Sequence, residues 1–240
     1  MLSEKEEIEY KILHALAEAG EPAGSGVISD ELRLSGLDIS EATVGRLLRD
    51  MDRRDLTFRL GFRGRLLTEL GQARLDELRH ERERAFYGTE LLNVLRAHGK
   101  EELMDLLVAR RVIERETARL AAIRATGDDI EQLKRVIEKH EMSVQAGIVG
   151  AEEDVRFHKL IGQIAGNKVL LAALDLIRQD AQLNSVLETI RKYMSSTVVA
   201  DHKKVIKAIS AGLPEAAEKA MVDHIDNVIA DVQKYWVNVE

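Results

Sequence analysis

Three helix-periodic apolar stripes, two short apolar runs either side of Gly61–Gly64, and six further helix-periodic segments predict a mainly α protein. The arrangement is an N-terminal winged helix-turn-helix followed by a C-terminal antiparallel helical bundle, since no alternating run in the second half asks to be a sheet. The 240 residues, 45% hydrophobic and 32% charged, suffice for one large domain or two modest ones. Two prolines and no long polar tract leave little room for disorder.

The first helix is expected over 5–19, where Ile8, Ile12, Leu13 and Leu16 share a face and Gly20-Glu21-Pro22 stops the pattern. Val27, Ile28 and Leu32 make a short second helix, with Ser25 or Ser29 as its cap. Ser40 caps a third, EATVGRLLRDMDRR, whose stripe is Val44, Leu47, Leu48 and Met51. Leu56–Leu60 and Arg65–Thr68 read as strands around a glycine-bounded turn, which completes the wing.

Charge placement tells more than total charge. A formal net charge of -7 argues against a uniformly basic nucleic-acid binder. Residues 46–65, however, hold seven arginines against Asp50, Asp52 and Asp55. The third helix of such a domain enters the major groove, so Ser40, Glu41, Thr43 and Arg46 are DNA-binding candidates at its start. Arg63 and Arg65 flank the wing tip as phosphate or minor-groove candidates.

From Glu69 to about Ala97 the chain reads as one long or broken amphipathic helix, with Gly71 and Gly88 as candidate breaks. The expected organisation is a winged-helix domain over 1–68, a helical connector over 69–100 and an all-helical domain over 101–240. Helices are expected there at 101–126, 130–147, 152–164, 168–187, 188–210 and 215–237.

No cysteine is present, so any transition-metal site must use histidine and carboxylates. Asp154 and His158 form a D-x-x-x-H pair, one helical turn apart on one face. Phe157, Leu160 and Ile161 put that pair near the buried side of its helix. His202 precedes the inward stripe Val205, Ile206 and Ile209, and His224 precedes Ile225 and Val228, with Gly212-Leu213-Pro214 breaking the chain between them. Each histidine alone is an ordinary hydrogen-bonding residue, but a bundle can turn all four groups to one point. Such a donor set favours a divalent transition metal, with Zn or Ni first and Mn, Co or Fe as alternatives.

At this point the sequence resembles known families. ILHALAEAGEPAGSGVISDELRLSGLDISEATVGRLLRDMDRRDL and FRGRLLTELGQARL resemble, over residues 8–78, the winged-helix domain found beside ribonuclease R and in prokaryotic transcription regulators. EEDVRFHKLIGQIAGNKVLLAAL, DHKKVIKAISAGLPEAAEKAMVDH and ARRVIERETARLAAIRAT resemble the FCD domain of GntR-type regulators of the FadR subfamily, over about 103–237. That resemblance implies a metal-containing effector pocket, with Asp154, His158, His202 and His224 as ligands, and a homodimer. It also implies effector-binding roles for Arg110, which alternatively pairs with Glu114, and for Asn167, which alternatively caps the next helix. Leu213 stands where the family commonly has an acidic residue, and the usual L-P-x-E run is absent before the helix-turn-helix.

The expected function is therefore a metabolite-responsive regulator that binds double-stranded operator DNA and a small carboxylate metabolite. The alternatives are a metal-dependent enzyme and a constitutive DNA-binding protein with a structural metal. The acidic N-terminus, MLSEKEEIEYKILHALAEAG, is unlike a signal peptide, and no run of about 18 apolar residues follows. A cytoplasmic protein with no membrane partner is expected.

Overall fold

The computed structural model describes residues 2–95, 99–148, 150–179, 181–194 and 198–239. They form eleven helices and two strands, in two compact units, Met1–Leu92 and Asn93–Glu240. None of the described helices is long and apolar enough to cross a membrane.

In the first unit, α1 (Glu4–Ala19) starts at a capping box between Ser3 and Glu6 and stops at Gly20, whose φ of 63° suits only glycine well. Neither expected serine caps α2 (Ser25–Leu34), which begins at Gly24 without a side-chain cap. Ser29 is buried and donates instead to the Ile39 carbonyl at 2.7 Å, tying α2 to the entry of α3 (Glu41–Arg53). Ile12, Leu16, Ile28, Leu32, Val44 and Leu48 close the core between these helices. Glu9 is buried on α1, where Arg54 and Arg74 hold its carboxyl below the usual range despite burial.

The wing is the antiparallel pair β1 (Thr57–Arg59) and β2 (Arg65–Leu67), in register Thr57 with Leu67. Arg65 also bridges to Ala23, so the wing leans on the start of α2. Gly64 makes that approach possible: its φ is 123°, and a Cβ there would lie 2.3 Å from the Ala23 carbonyl carbon.

Neither Gly71 nor Gly88 breaks α4 (Glu69–Leu95), which is continuous over those residues of the segment read as a connector. A Cβ at Gly71 would lie 1.9 Å from the Leu56 carbonyl oxygen, so glycine lets the helix press on the strand backbone. Leu75 and Leu78 of α4 are fully buried in the first core. The expected end of this helix at Ala97 falls outside the described residues.

The second unit contains α5 (Lys100–Arg124), α6 (Gly127–Gln145), α7 (Ala151–Ile164), α8 (Lys168–Arg178), α9 (Ala181–Tyr193), α10 (Val198–Ser210) and α11 (Pro214–Val239). Thr126 and Asp129 form a capping box for α6, and Pro214 opens α11 where its missing N–H costs nothing. The long pair α5 and α11 supports the bundle. One apolar core joins Ala118, Ala121, Phe157, Ile161, Val205, Met221 and Ile225; another joins Leu103, Leu107, Ile177, Ile190, Val228 and Val232. On α5, buried Arg110, Glu114 and Thr117 lie between the residues of the two cores.

Two expected helices are corrected. The helix read as 168–187 ends at Arg178 and a new helix starts at Ala181; the stretch read as 188–210 is shared between α9, which ends at Tyr193, and α10, which starts at Val198. No glycine or proline marks the first break. Its physical reason is tertiary: Arg178 and Arg191 both reach Asp154, whereas 13 residues of unbroken helix would separate them by about 20 Å.

Candidate functional site

The helical unit gathers Asp154 and His158 from α7, His202 from α10 and His224 from α11. All four are buried, and one donor atom from each lies within 4.8 Å of the others. His202 Nε2 stands 3.3 Å from His224 Nε2 and 3.5 Å from Asp154 Oδ1, while His158 Nε2 stands 3.6 Å from the same oxygen. The i,i+4 spacing on α7 supplies the first pair; the inward stripes of α10 and α11 bring the others.

Electrostatics disfavour protonation of His202, His224 and Asp154. Burial, reinforced by its neighbour His224, holds His202 well below the ordinary imidazole value; burial and His158 do the same to His224. Burial would raise the Asp154 carboxyl, but Arg191, Arg178 and His158 hold it well below the carboxylate range. Asp154 Oδ1 and His158 Nε2 are buried and accept or donate no hydrogen bond among the described residues. Imidazole nitrogens and a carboxylate oxygen converging in a buried interior fit a divalent cation.

Around this quartet lies a set of charged groups, of which the sequence marked only Arg110 and Glu114. Glu114 of α5 contacts His158 Nδ1, accepts from Arg110 Nε at 2.6 Å and lies 3.5 Å from Arg178. Burial opposes its charge, yet Arg110, His158 and Arg178 hold its carboxyl well below the usual range. Arg178 pairs with Asp154 Oδ2, and Arg191 approaches Oδ1 at 3.0 Å. Arg110 is pushed down to about 10, by burial first and then by the like charge of Arg178. Arg110 thus forms the structural pair with Glu114, while its Nη2 remains buried without a hydrogen bond. Buried His140 of α6, beside His202, also escaped the sequence reading. Glu114 had a signal, its R-x-x-x-E spacing from Arg110; Arg178 and Arg191 had none, because an arginine in an amphipathic helix usually marks the solvated face.

Asn167 is corrected from the pocket to the surface. It is exposed and caps α8, its amide oxygen accepting from the Val169 and Leu170 N–H groups at 3.1 and 3.2 Å.

The proposed DNA face is partly assembled. Ser40 caps α3 through the Thr43 N–H, and Arg46 donates to the Thr43 hydroxyl at 3.1 Å, so these three share the helix start. Glu41 is exposed but accepts from Ser25 at 3.0 Å. Arg63 is exposed on the wing turn. Arg65 is not available there: its side chain is only 12% exposed and its guanidinium binds Asp52 at 2.8 Å.

Comparison with known proteins agrees with this architecture. The ribonuclease R winged-helix domain matches residues 10–75, and the FCD domain matches residues 105–227. The Glc operon transcriptional activator of Escherichia coli (strain K12) is 30% identical over 176 residues, 69% of this chain and 68% of that protein. A candidate L-lactate dehydrogenase operon regulatory protein of the same organism is 29% identical over 186 residues, 76% of this chain and 71% of its own length. Among solved structures, Streptococcus agalactiae GntR covers 94% of this chain and 98% of its own, with TM-score 0.48 and 22% identity. The FCD match takes in just over half of the sequence and contains the buried quartet, so the chain belongs to the GntR family of transcription regulators, as a FadR-type, metabolite-responsive DNA-binding member with a ribonuclease R-like winged helix.

Proposed function

We propose that Asp154, His158, His202 and His224 hold a divalent transition metal, Zn or Ni before Mn, Co or Fe, and that this metal contacts the carboxylate of a small organic acid. The convergence of four buried donor atoms within 4.8 Å carries the reading. When bound, the metal supplies a positive centre with room for an anionic ligand. The protein supplies further positive charge nearby from buried Arg110 and Arg178, which share Glu114 and Asp154 as partners.

In this proposal residues 1–68 bind operator DNA, 69–100 connect, and 101–240 sense the effector and form a cytoplasmic homodimer whose symmetry sets the half-site spacing. Glu41, Thr43 and Arg46 read bases and Arg63 binds phosphate. Effector binding that differs by about 1–3 kcal/mol between two dimer arrangements changes DNA affinity about 5–150-fold.

The test is metal analysis of the purified protein followed by binding to a genomic DNA-fragment library with a metabolite panel. L-lactate heads the panel, because one similar protein is named for an L-lactate dehydrogenase operon. Stoichiometric metal, a selected fragment and one carboxylate that changes its affinity are expected. A protein that selects no fragment under any condition refutes the DNA-reading scheme. Chelation that unfolds the whole helical unit favours a structural metal over sensing.

A further inference from the structure

His202 leaves one nitrogen unexplained. Its Nε2 faces the other donors, 3.3 Å from His224 Nε2 and 3.5 Å from Asp154 Oδ1. A neutral imidazole that keeps this lone pair free carries its proton on Nδ1, and that atom is buried with no hydrogen-bond partner among the described residues. Phe157 stacks on the ring face, with centroids 4.1 Å apart and planes at 30°, so it fixes the plane without accepting an in-plane N–H.

On α6, His140 has the complementary need. It is fully buried, and neither Nδ1 nor Nε2 has a hydrogen-bond partner among the described residues. Its ring centroid lies 5.6 Å from that of His202, with the planes at 47°. The surroundings are built to its shape: a Cβ at Gly150 would lie 2.4 Å from His140 Cδ2 and 2.6 Å from Nε2. Glycine at 150, with an ordinary φ of -90°, leaves the space that the imidazole needs.

We infer that His140 is a positioning residue that accepts the His202 Nδ1–H through one bridging water, and so aims Nε2 into the donor cluster. This rests on the metal reading above. It gives His202 the kind of support that Glu114 gives His158 from the opposite side of the cluster. A metal-bound histidine characteristically donates its second N–H to a carboxylate, a backbone carbonyl or a water, which fixes tautomer and ring orientation. A water held by His140 serves that purpose here.

The experiment compares full-length wild type, His140→Phe and His140→Gln by chelator competition with Zn and with Ni, each variant first checked for wild-type helicity. Phenylalanine keeps an aromatic ring but cannot hold the water, and its metal affinity is expected to fall about 10–100-fold. Glutamine offers an acceptor and is expected to recover most of that loss. In ring ¹H–¹⁵N spectra of the zinc-loaded wild type, the His202 Nδ1–H is expected as a slowly exchanging signal that shifts in His140→Gln. Wild type without stoichiometric metal overturns the metal reading itself. Metal-binding wild type with an equally tight His140→Phe overturns only the role of His140, as does equal loss in both variants, which marks packing rather than a hydrogen bond. If His140→Phe fails to fold, a missing or fast-exchanging His202 Nδ1–H in the wild type overturns the inference.

Discussion

Glu114 lies against Nδ1 of His158, while the opposite nitrogen of the same ring, Nε2, faces Asp154 Oδ1 at 3.6 Å. A carboxylate on one side of an imidazole fixes the proton there and leaves the other nitrogen as a donor. One residue on α5 therefore decides what a residue on α7 can bind.

Glu114→Gln keeps the shape and removes the charge. Metal affinity is expected to drop about 10–100-fold as the His158 tautomer is released. Stability is expected to fall by about 3–5 kcal/mol, because Arg110 and Arg178 lose a buried counter-ion. Chelator competition reads the first effect and urea denaturation the second; wild-type values for both would remove Glu114 from the site.

Without metal, stability is expected to decline as the pH falls from about 7 towards 5. His202 and His224 are held below their ordinary value in the fold, so below about pH 6.5 the unfolded chain takes up protons that the folded chain refuses. Each contributes stability that is present above about 6.5 and is lost on acidification, at up to about 1.4 kcal/mol per pH unit. Asp154 and Glu114, also depressed, add the same sign of dependence below about pH 4. Urea midpoints at pH 7.5, 6.5 and 5.5 in chelator measure the slope, and His224→Gln is expected to reduce it. A flat profile would contradict the assigned charge states.

On the wing the two arginines should separate. Arg63→Ala is expected to weaken binding to a random-sequence duplex and to reduce its salt slope by about 1, the signature of one lost phosphate contact. Arg65→Ala removes the partner of half-exposed Asp52 and is expected to cost no more than about 1 kcal/mol of stability while leaving the salt slope unchanged. Filter binding across a salt series, with thermal melts alongside, distinguishes them; a slope change for Arg65→Ala alone reverses the assignment.

Gly71→Ala sets helix propensity against sterics. Alanine in a helix interior is favoured by up to about 1 kcal/mol over glycine. Here its methyl would meet the Leu56 carbonyl oxygen at 1.9 Å, a contact with backbone that a side-chain rotation cannot relieve. Crowding of this kind costs about 1–3 kcal/mol, so the net effect is expected to be destabilising. A melting temperature at or above wild type would show that α4 can shift.

The sequence by itself determined the first three helices and the wing of the first unit, the cap at Ser40, the Gly212–Pro214 break and the inward faces of Asp154, His158, His202 and His224. These are consequences of periodicity and of residues whose backbone preferences act over one turn. Only the tertiary structure decided that Arg65 serves Asp52 and that α8 ends at Arg178. It alone brought Arg178 and Arg191 onto Asp154, and His140 beside His202. A buried arginine and a solvated one look alike within a local pattern, and what separates them here is the burial of partners 24 and 37 positions away in the chain.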